Sequence, residues 1–567
     1  VIRTATLALV LVLTASACAG TDDTGPSAAD PSTDATGATV TATAGDDADA
    51  SGVAPTGDGI VCWAADPAAG ATGIAFVDAT AEFGLIEPLT GMRAHAAAFG
   101  DIDGDTVADL LVGTFAIARP DIYLERGATE ASPDRLLTGS GSAFEVAAGF
   151  PETRGRTSGA VMVDLDGDGD DDIVLSRNFQ GREAGEAVTA VLENDAGVFR
   201  TVDDAGLDPT MGGRSIGVLD VDGDGLLDLL VVEDRYRGGT SRLFRNTGGL
   251  VFEDVTGTMF PAGIDGLGVA TGDLDGDGLT DLFVAGSNRL FENTGSGLSE
   301  VPGAVPIWET FGNEDDVAGA AIADVNRDGM LDLVVGHHFN STLSRGVTVP
   351  VRLYLNRTAS PGAPIELEDV TDAAGLIGIP TKAPHVELAD VDNDGWPDIV
   401  TSASAADGTE PAVFRHTGLE DGIPRFEAPD GLGSAQYWVS APTADLDRDG
   451  RLDVLAIEWE PALPSVLFRN DSAAGGWIEV SVGPELGGGV GTRVDVYPAG
   501  AAGDQTQLLG SREIVATVGY TAGVERIAHF GLGDVEEVDV VVGPPGADPL
   551  TVTATANTHI RLPDGCG

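Results

Sequence analysis

Lysine is all but missing from this chain. Lys382 stands alone among 567 residues, and 30 basic side chains face 91 acidic ones. A net charge of −61 leaves no basic footprint for a phosphate backbone, which excludes nucleic acid as a partner. Aromatic residues are scarce at 5%, and there are only three cysteines. Catalytic signatures are scarce too: H-E-x-x-H and the Walker loop are absent. Acidity of this degree often marks disorder, yet 43% of residues are hydrophobic. The 79 glycines beside them point to many short strands and tight turns. The length exceeds what one ordinary core accommodates, so repeats or several domains are expected.

The first 18 residues, VIRTATLALVLVLTASAC, place Arg3 before an apolar stretch that is too short to span a bilayer and ends in small residues. This is the pattern of a secretory signal. Ala15-Ser16-Ala17-Cys18 resembles a bacterial lipobox, which makes Cys18 a lipidation candidate. Consensus has leucine where Ala15 stands, so plain cleavage and release stay open. From 19 to 60 the chain is nearly all Ala, Asp, Gly, Pro, Ser and Thr, too little apolar surface to offset ordering entropy. We read a disordered tether, with a reach of roughly 35 Å as a coil. Cys62 and Cys566 then bracket the folded part as a disulfide candidate, with two buried thiols as the alternative.

What the chain has in abundance is one acidic unit, D-x-D/N-x-D-G-x-x-D followed by an apolar run. It starts at Asp101, Asp164, Asp220, Asp273, Asp324, Asp390 and Asp445, at spacings of 63, 56, 53, 51, 66 and 55 residues. Around each copy lie a preceding apolar segment, a strand-like run, and a third segment ending in a turn, as in LFRNTG from Leu243 and LFENTG from Leu290. Most units add a fourth, such as VFEDVT from Val251; LSEVPGAV in unit four matches it poorly. Four short strands every ~50–60 residues is the pattern of a propeller blade. We therefore expect an all-β fold, a seven-bladed β-propeller over 72–472 and a small β-rich domain over 473–567. Unit seven lacks its own fourth segment, and a spare copy, AFVDATAEFGL, lies at Ala75 to Leu85. That strand is expected to complete the seventh blade and close the ring without an exposed edge.

Clustered carboxylates at alternate positions suit Ca²⁺, a hard cation that takes six to eight oxygen ligands in a flexible shell. Counting from the first aspartate, side chains at one, three, five and nine and the carbonyl of position seven converge, with glycine at six for the turn. Unit one offers Asp101, Asp103, Asp105 and Asp109; unit two Asp164, Asp166, Asp168, Asp170 and Asp172; unit three Asp220, Asp222, Asp224, Leu226 and Asp228. Unit four offers Asp273, Asp275, Asp277, Leu279 and Asp281, and unit five Asp324, Asn326, Asp328, Met330 and Asp332. Unit six offers Asp390, Asp392, Asp394, Trp396 and Asp398, and unit seven Asp445, Asp447, Asp449, Arg451 and Asp453. Up to seven calcium ions are expected, bound more weakly in unit one, where Thr106 replaces glycine, and with one charge fewer in unit five. An EF-hand is rejected, because position twelve is never glutamate. Mg²⁺ fits less well because it keeps its waters, and Zn²⁺ asks for His or Cys. The pair His337-His338 is expected on a strand or turn surface.

These units resemble FG-GAP/VCBS repeats, which build the seven-bladed propeller of integrin α-subunits. GGGVGTRVDVY from Gly487 and AHFGLGDVEEVDVVV from Ala528 resemble an ASPIC/UnbV domain, although its usual tryptophan-proline appears here as Gly543-Pro544-Pro545. The combination is similar to bacterial relatives of cartilage acidic protein, and the two resemblances cover about 72 to 566. The resemblance implies an exported calcium-binding propeller, held at the cell surface or secreted, that binds a surface protein or glycan as an adhesion-type module. A membrane would be met only through a lipid at Cys18. A calcium-dependent polysaccharide lyase and a structural envelope component are the alternatives; Arg235, Tyr236 and Arg237 with Trp308 are the only basic-aromatic hint of a lyase groove. Gly213-Arg214-Ser215-Ile216-Gly217 fits G-x-S-x-G but sits in a strand, not at a nucleophile elbow. No catalytic residue and no further cofactor are assigned.

Overall fold

The computed structural model describes residues 60–563 except 66–69, 71–72, 117–131, 179–186, 235–238, 306–316, 338–350, 377–383, 403–411, 428–429, 432–436, 474, 484–485 and 487–488. The expected signal with Cys18, the tether up to 59, Arg235, Tyr236, Arg237, Trp308, His338 and Cys566 lie outside the described residues.

The fourth unit shows how the repeat folds. Val269–Gly272 and Asp281–Val284 pair antiparallel with Gly272 opposite Asp281, so the acidic segment between them becomes a hairpin loop. Arg289–Asn293 and Leu298–Val301 add in order, so the poorly matching LSEVPGAV does supply a fourth strand. Every residue of Asp281–Val284 is buried, which explains a continuous apolar run in place of alternation: both faces of the strand are covered.

The fold is all-β, and a four-strand order recurs in seven successive sheets. Two of them depart from the simple pattern. In the sixth, Ala412–Phe414 runs into an extra hairpin, His416–Glu420 with Ile423–Phe426, before Asp430–Gly431 takes the fourth place. In the seventh, the fourth place goes to Phe76–Asp78, which pairs with Val466–Asn470 from the far end of the repeats.

Neighbouring sheets share apolar clusters. Leu219, Val221 and Leu230 of the third sheet pack with Val269, Leu282 and Phe291 of the fourth. Leu110, Val112 and Leu137 of the first pack with Leu455, Ile457 and Leu467 of the seventh. Each fully buried side chain of this kind stabilises by about 1.5–3 kcal/mol. His337, expected at a surface, is buried at the end of Asp332–His337, because an inner strand has no solvent face.

The C-terminal strands build two further four-stranded sheets around a core of their own, including Ile478, Val494, Phe530, Val540 and Ile560. One of them recruits Ile60–Ala64, which pairs with Thr558–Leu562, so a strand begins where the tether was expected to end. Cys62 in that strand is disulfide-bonded. A hairpin, Thr517–Val518 with Ala522–Gly523, leaves these sheets and joins the first sheet, Ala522 lying opposite Ala97 in parallel. Among the described residues no helix is long and apolar enough to cross a membrane.

Candidate metal centre

The loop of the fourth unit is wound around its first carboxylate. Asp273 Oδ1 accepts from the amides of Gly276 at 2.7 Å and Asp277 at 3.1 Å, and Oδ2 accepts from Gly278 at 2.9 Å. Asp281 anchors the other end, accepting from Leu274 N at 2.8 Å and Asn293 N at 2.8 Å. Asp277 Oδ1 accepts from Leu279 N at 2.9 Å. The same winding recurs around Asp220, Asp324, Asp390 and Asp445.

The curl needs left-handed backbone at two positions, where an L side chain is strained and glycine is free. Position six has φ between +83° and +98° in the six glycine-bearing loops and +65° at Thr106 in loop one. Position four is the second such site: glycine in loops one to four, but Arg327, Asn393 and Arg448 in loops five to seven at φ of 57°, 52° and 59°. Reading the sequence for glycine at six alone misses this position.

In this winding, carboxylate oxygens from positions one, three and nine lie within 4.8 Å of one another. The sets are Asp101/Asp103/Asp109, Asp164/Asp166/Asp172, Asp220/Asp222/Asp228, Asp273/Asp275/Asp281 and Asp390/Asp392/Asp398. Position three carries the plainest sign that a partner is expected. Asp166, Asp222, Asp392 and Asp447 each keep a buried Oδ1 with no hydrogen-bond partner. Leaving a buried acceptor unmet costs about 1–3 kcal/mol, more for a charged group, so a recurring orphan at one register position marks a place for a cation.

Electrostatics agrees. Burial first, reinforced by neighbouring carboxylates and opposed by backbone amides, pushes Asp281 up to about 8 and Asp109, Asp172 and Asp228 to about 7. Burial raises Asp332, Asp398 and Asp453 well above the usual carboxylate range. Without a positive partner, each such group takes up a proton to escape its own desolvation cost.

The loops are not equivalent. Asn326 Nδ2 donates to Asp328 Oδ2 at 2.9 Å, so the third position of loop five spends its amide inside the loop. Arg415 donates to Asp392 Oδ2 at 2.7 Å and to Asp394 Oδ2 at 3.2 Å, and Arg451 pairs with Asp449. These cations compete with a metal in loops six and seven, whereas the hydrogen bonds and ion pairs of loops two and four put no such arginine on positions one, three or nine among the described residues.

A feature invisible in the loop motif ties five of the seven loops to a neighbour. The asparagine closing the third strand donates its backbone amide to the position-nine carboxylate and its side-chain Nδ2 to the adjoining unit's loop. Asn246 Nδ2 reaches Leu165 O at 2.7 Å, Asn356 reaches Leu274 O at 2.6 Å, and Asn470 reaches Val391 O at 2.7 Å. The turn segments LFRNTG and LFENTG showed that an asparagine sits there, not that it spans two sheets. His416 holds this place in unit six, stacked on Trp396 at 4.9 Å, where burial lowers it to about 4. Ser215, the middle of G-x-S-x-G, lies within the strand Gly213–Leu219 and donates to Leu267 O at 2.9 Å, just ahead of Val269–Gly272, so its hydroxyl is engaged with backbone.

Comparison with known proteins places these features in context. A model described as "FG-GAP-like repeat" matches residues 164–231, 220–284, 277–335 and 390–456, and one described as "ASPIC and UnbV" matches 487–542. Cartilage acidic protein 1 of Mus musculus is 27% identical over 444 residues, 70% of this chain and 62% of that protein, so the match spans under two thirds of the relative. Integrin alpha-4 of Xenopus laevis is 31% identical over 145 residues, 24% of this chain and 14% of that one. Among solved structures, a rhamnogalacturonan lyase PL11 of Bacillus licheniformis aligns at 14% identity and a TM-score of 0.35, over 67% of this chain and 72% of that one, a likeness too loose to bear on function. The chain carries FG-GAP-like repeats followed by an ASPIC and UnbV domain and is homologous to cartilage acidic protein 1.

Proposed function

We propose that this is an exported calcium-binding module of adhesion type, in which seven sheets over 72–472 form the blades of a closed propeller and each first hairpin holds one ion. Support for the ring comes from the apolar cluster between the first and seventh sheets and from the N-terminal strand in the seventh. The observation that carries the metal reading is the unmet buried Oδ1 at position three of four loops. An all-oxygen set of three converging carboxylates favours Ca²⁺ over softer ions. When bound, calcium supplies the positive charge that lets these carboxylates stay ionised together. The chain's own part is to wind the loop on position one, aim positions three and nine inward, and hold the loop against the adjoining sheet through the asparagine.

The function proposed is binding, not catalysis, to a protein or glycan at the surface to which the chain is exported, with Cys18 as the anchor if it is lipidated. The relatives named above support this class: an integrin α-subunit and cartilage acidic protein 1. An array of polysaccharides and surface proteins, probed with and without calcium and with chain length measured afterwards, tests it. Calcium-dependent retention with intact ligands is expected. Calcium-dependent shortening of a polysaccharide would replace this reading with a lyase, and no retention at all would leave a structural component.

A further inference from the structure

The ASPIC and UnbV domain has no part in the reading above, yet it grips the metal loops directly. Arg493 Nη2 donates to the carbonyl of Gly329, position six of loop five, at 2.6 Å. His529 Nε2 lies 3.1 Å from the carbonyl of Gly450, position six of loop seven. Glu513 accepts from Asp273 N and Thr280 Oγ1 in loop four, each at 2.6 Å. Loop six is met by backbone: Gly533 N donates to Asn393 O at 3.0 Å, and Gly475 N to Asp392 O at 3.3 Å. Gly531 is pressed so closely onto that loop that an added Cβ would stand 2.0 Å from Asp390 Oδ2 and 2.6 Å from Asn393 Cα. Gly531 of H-F-G-L-G therefore permits close approach to loop six, and the histidine of the same motif reaches loop seven.

Loops two and three differ. Gly167 to Gly169 and Gly223 to Gly225 are exposed, as Asp277 and Gly278 of loop four also are. Among the described residues, however, no hydrogen bond from the domain reaches the backbone of 164–169 or 220–225, although Val490 and Ala516 pack with Leu165 and Leu227 beside them. Arg526 does reach the second loop, but through Asp171, beside the ligand set.

The same domain sends its hairpin among the innermost strands. Gly519 exchanges two backbone hydrogen bonds with Ala320 of the fifth sheet, at 2.8 and 3.2 Å. Tyr520 N donates to His385 Nδ1 of the sixth at 3.2 Å, Thr521 N to Ser215 Oγ of the third at 3.3 Å, and Thr521 Oγ1 to His95 O of the first at 2.8 Å. Three consecutive residues thus touch four sheets, and Tyr520 is fully buried there.

We propose that the ASPIC and UnbV domain is a latch set by the ions of loops four to seven: loading those loops and docking the domain are one coupled equilibrium, and docking holds the 517–523 hairpin among the inner strands. Loops two and three load independently of it. The inference rests on the metal reading above. Its physical basis is that, Thr280 Oγ1 aside, the domain's partners on loops four to seven are backbone groups, the carbonyls of Gly329, Gly450, Asp392 and Asn393 and the amide of Asp273. Their positions depend on the curl, which an ion shared by the carboxylates at one, three and nine draws together and fixes, and which is held less tightly without it. Coupling is reciprocal, so Arg493, His529 and Glu513 act as positioning residues that tighten the ions in the loops they hold.

Hydrogen exchange of the full-length protein, read at the amides of Tyr520 and Thr521, tests this alongside ion counting by native mass spectrometry. Asp392→Asn in covered loop six and Asp222→Asn in open loop three should each remove one ion. Only Asp392→Asn, or calcium chelation, should speed hairpin exchange, by about tenfold or more. Arg493→Ala, which touches no ligand side chain, should weaken one site severalfold and leave the open loops unchanged. Hairpin exchange unaltered in Asp392→Asn, or raised equally in Asp222→Asn, overturns the latch while the metal reading stands. A wild-type protein that binds no calcium overturns the metal reading itself, and the latch with it.

Discussion

At the scale of single residues, the proposed function sets two competing neutralisers against each other in the loops, a proton and a dication. Burial lifts Asp281 and Asp390 to about 8 and Asp228 to about 7 in the ion-free chain, from an ordinary value near 4. A carboxyl that holds its proton more tightly folded than unfolded stabilises the fold below its unfolded pKa, and that stabilisation is lost as pH rises through the folded value. In chelator, the melting temperature should therefore fall between about pH 4 and pH 8, and excess calcium should flatten the slope. Calorimetry at several pH values decides it; a melting temperature that climbs over this range in chelator contradicts the assignment. Thr106 offers a second residue-scale test. Its φ of 65° costs an L-residue what glycine avoids, so Thr106→Gly should tighten loop one severalfold by calcium titration, with no gain if the backbone there is unstrained.

Between elements, the asparagine bridges carry the largest consequence that the repeat pattern did not reveal. Asn356 is buried and donates to Leu274 O in the fourth unit and Leu331 O in the fifth. Asn356→Ala leaves both carbonyls short of a donor and should destabilise by about 1–3 kcal/mol. Because Leu274 follows Asp273, it should also weaken calcium binding at loop four more than at loop two. Equal loss at both loops, by site-resolved titration, would show that the asparagine acts only on global stability. The aspartates were legible in the sequence because their alternate spacing is complete within nine residues and recurs seven times. Asn356 was legible only as a turn former, since its partner is 82 residues away. The extra hairpin of unit six was hidden for the opposite reason: HTGLEDGIPRF reads locally as a turn and a fourth strand, and only the pairing of Asp430–Gly431 with Ala412–Phe414 shows that the fourth place lies further on.

For the whole molecule, strands from both ends of the described residues meet in the C-terminal sheets. Ile60–Ala64 pairs there, Phe76–Asp78 fills the seventh sheet, and the 517–523 hairpin reaches back to the first. Seven repeats were visible as a period, but the docking of the last domain on their loops was not. Arg493, Glu513 and His529 lie 79 to 240 residues from their partners, and nothing in their local sequence names the loops they touch. Contacts spread over so many loops predict cooperative behaviour: removing calcium should lower the melting temperature of repeats and C-terminal sheets together, as one transition. Two separate transitions would mean that the domains are energetically independent. The most direct test of the central claim is the metal content of the intact protein by native mass spectrometry at neutral pH. One calcium per acidic loop is expected, up to seven, with the weakest occupancy in loop one; a chain that carries no calcium at millimolar supply contradicts the account.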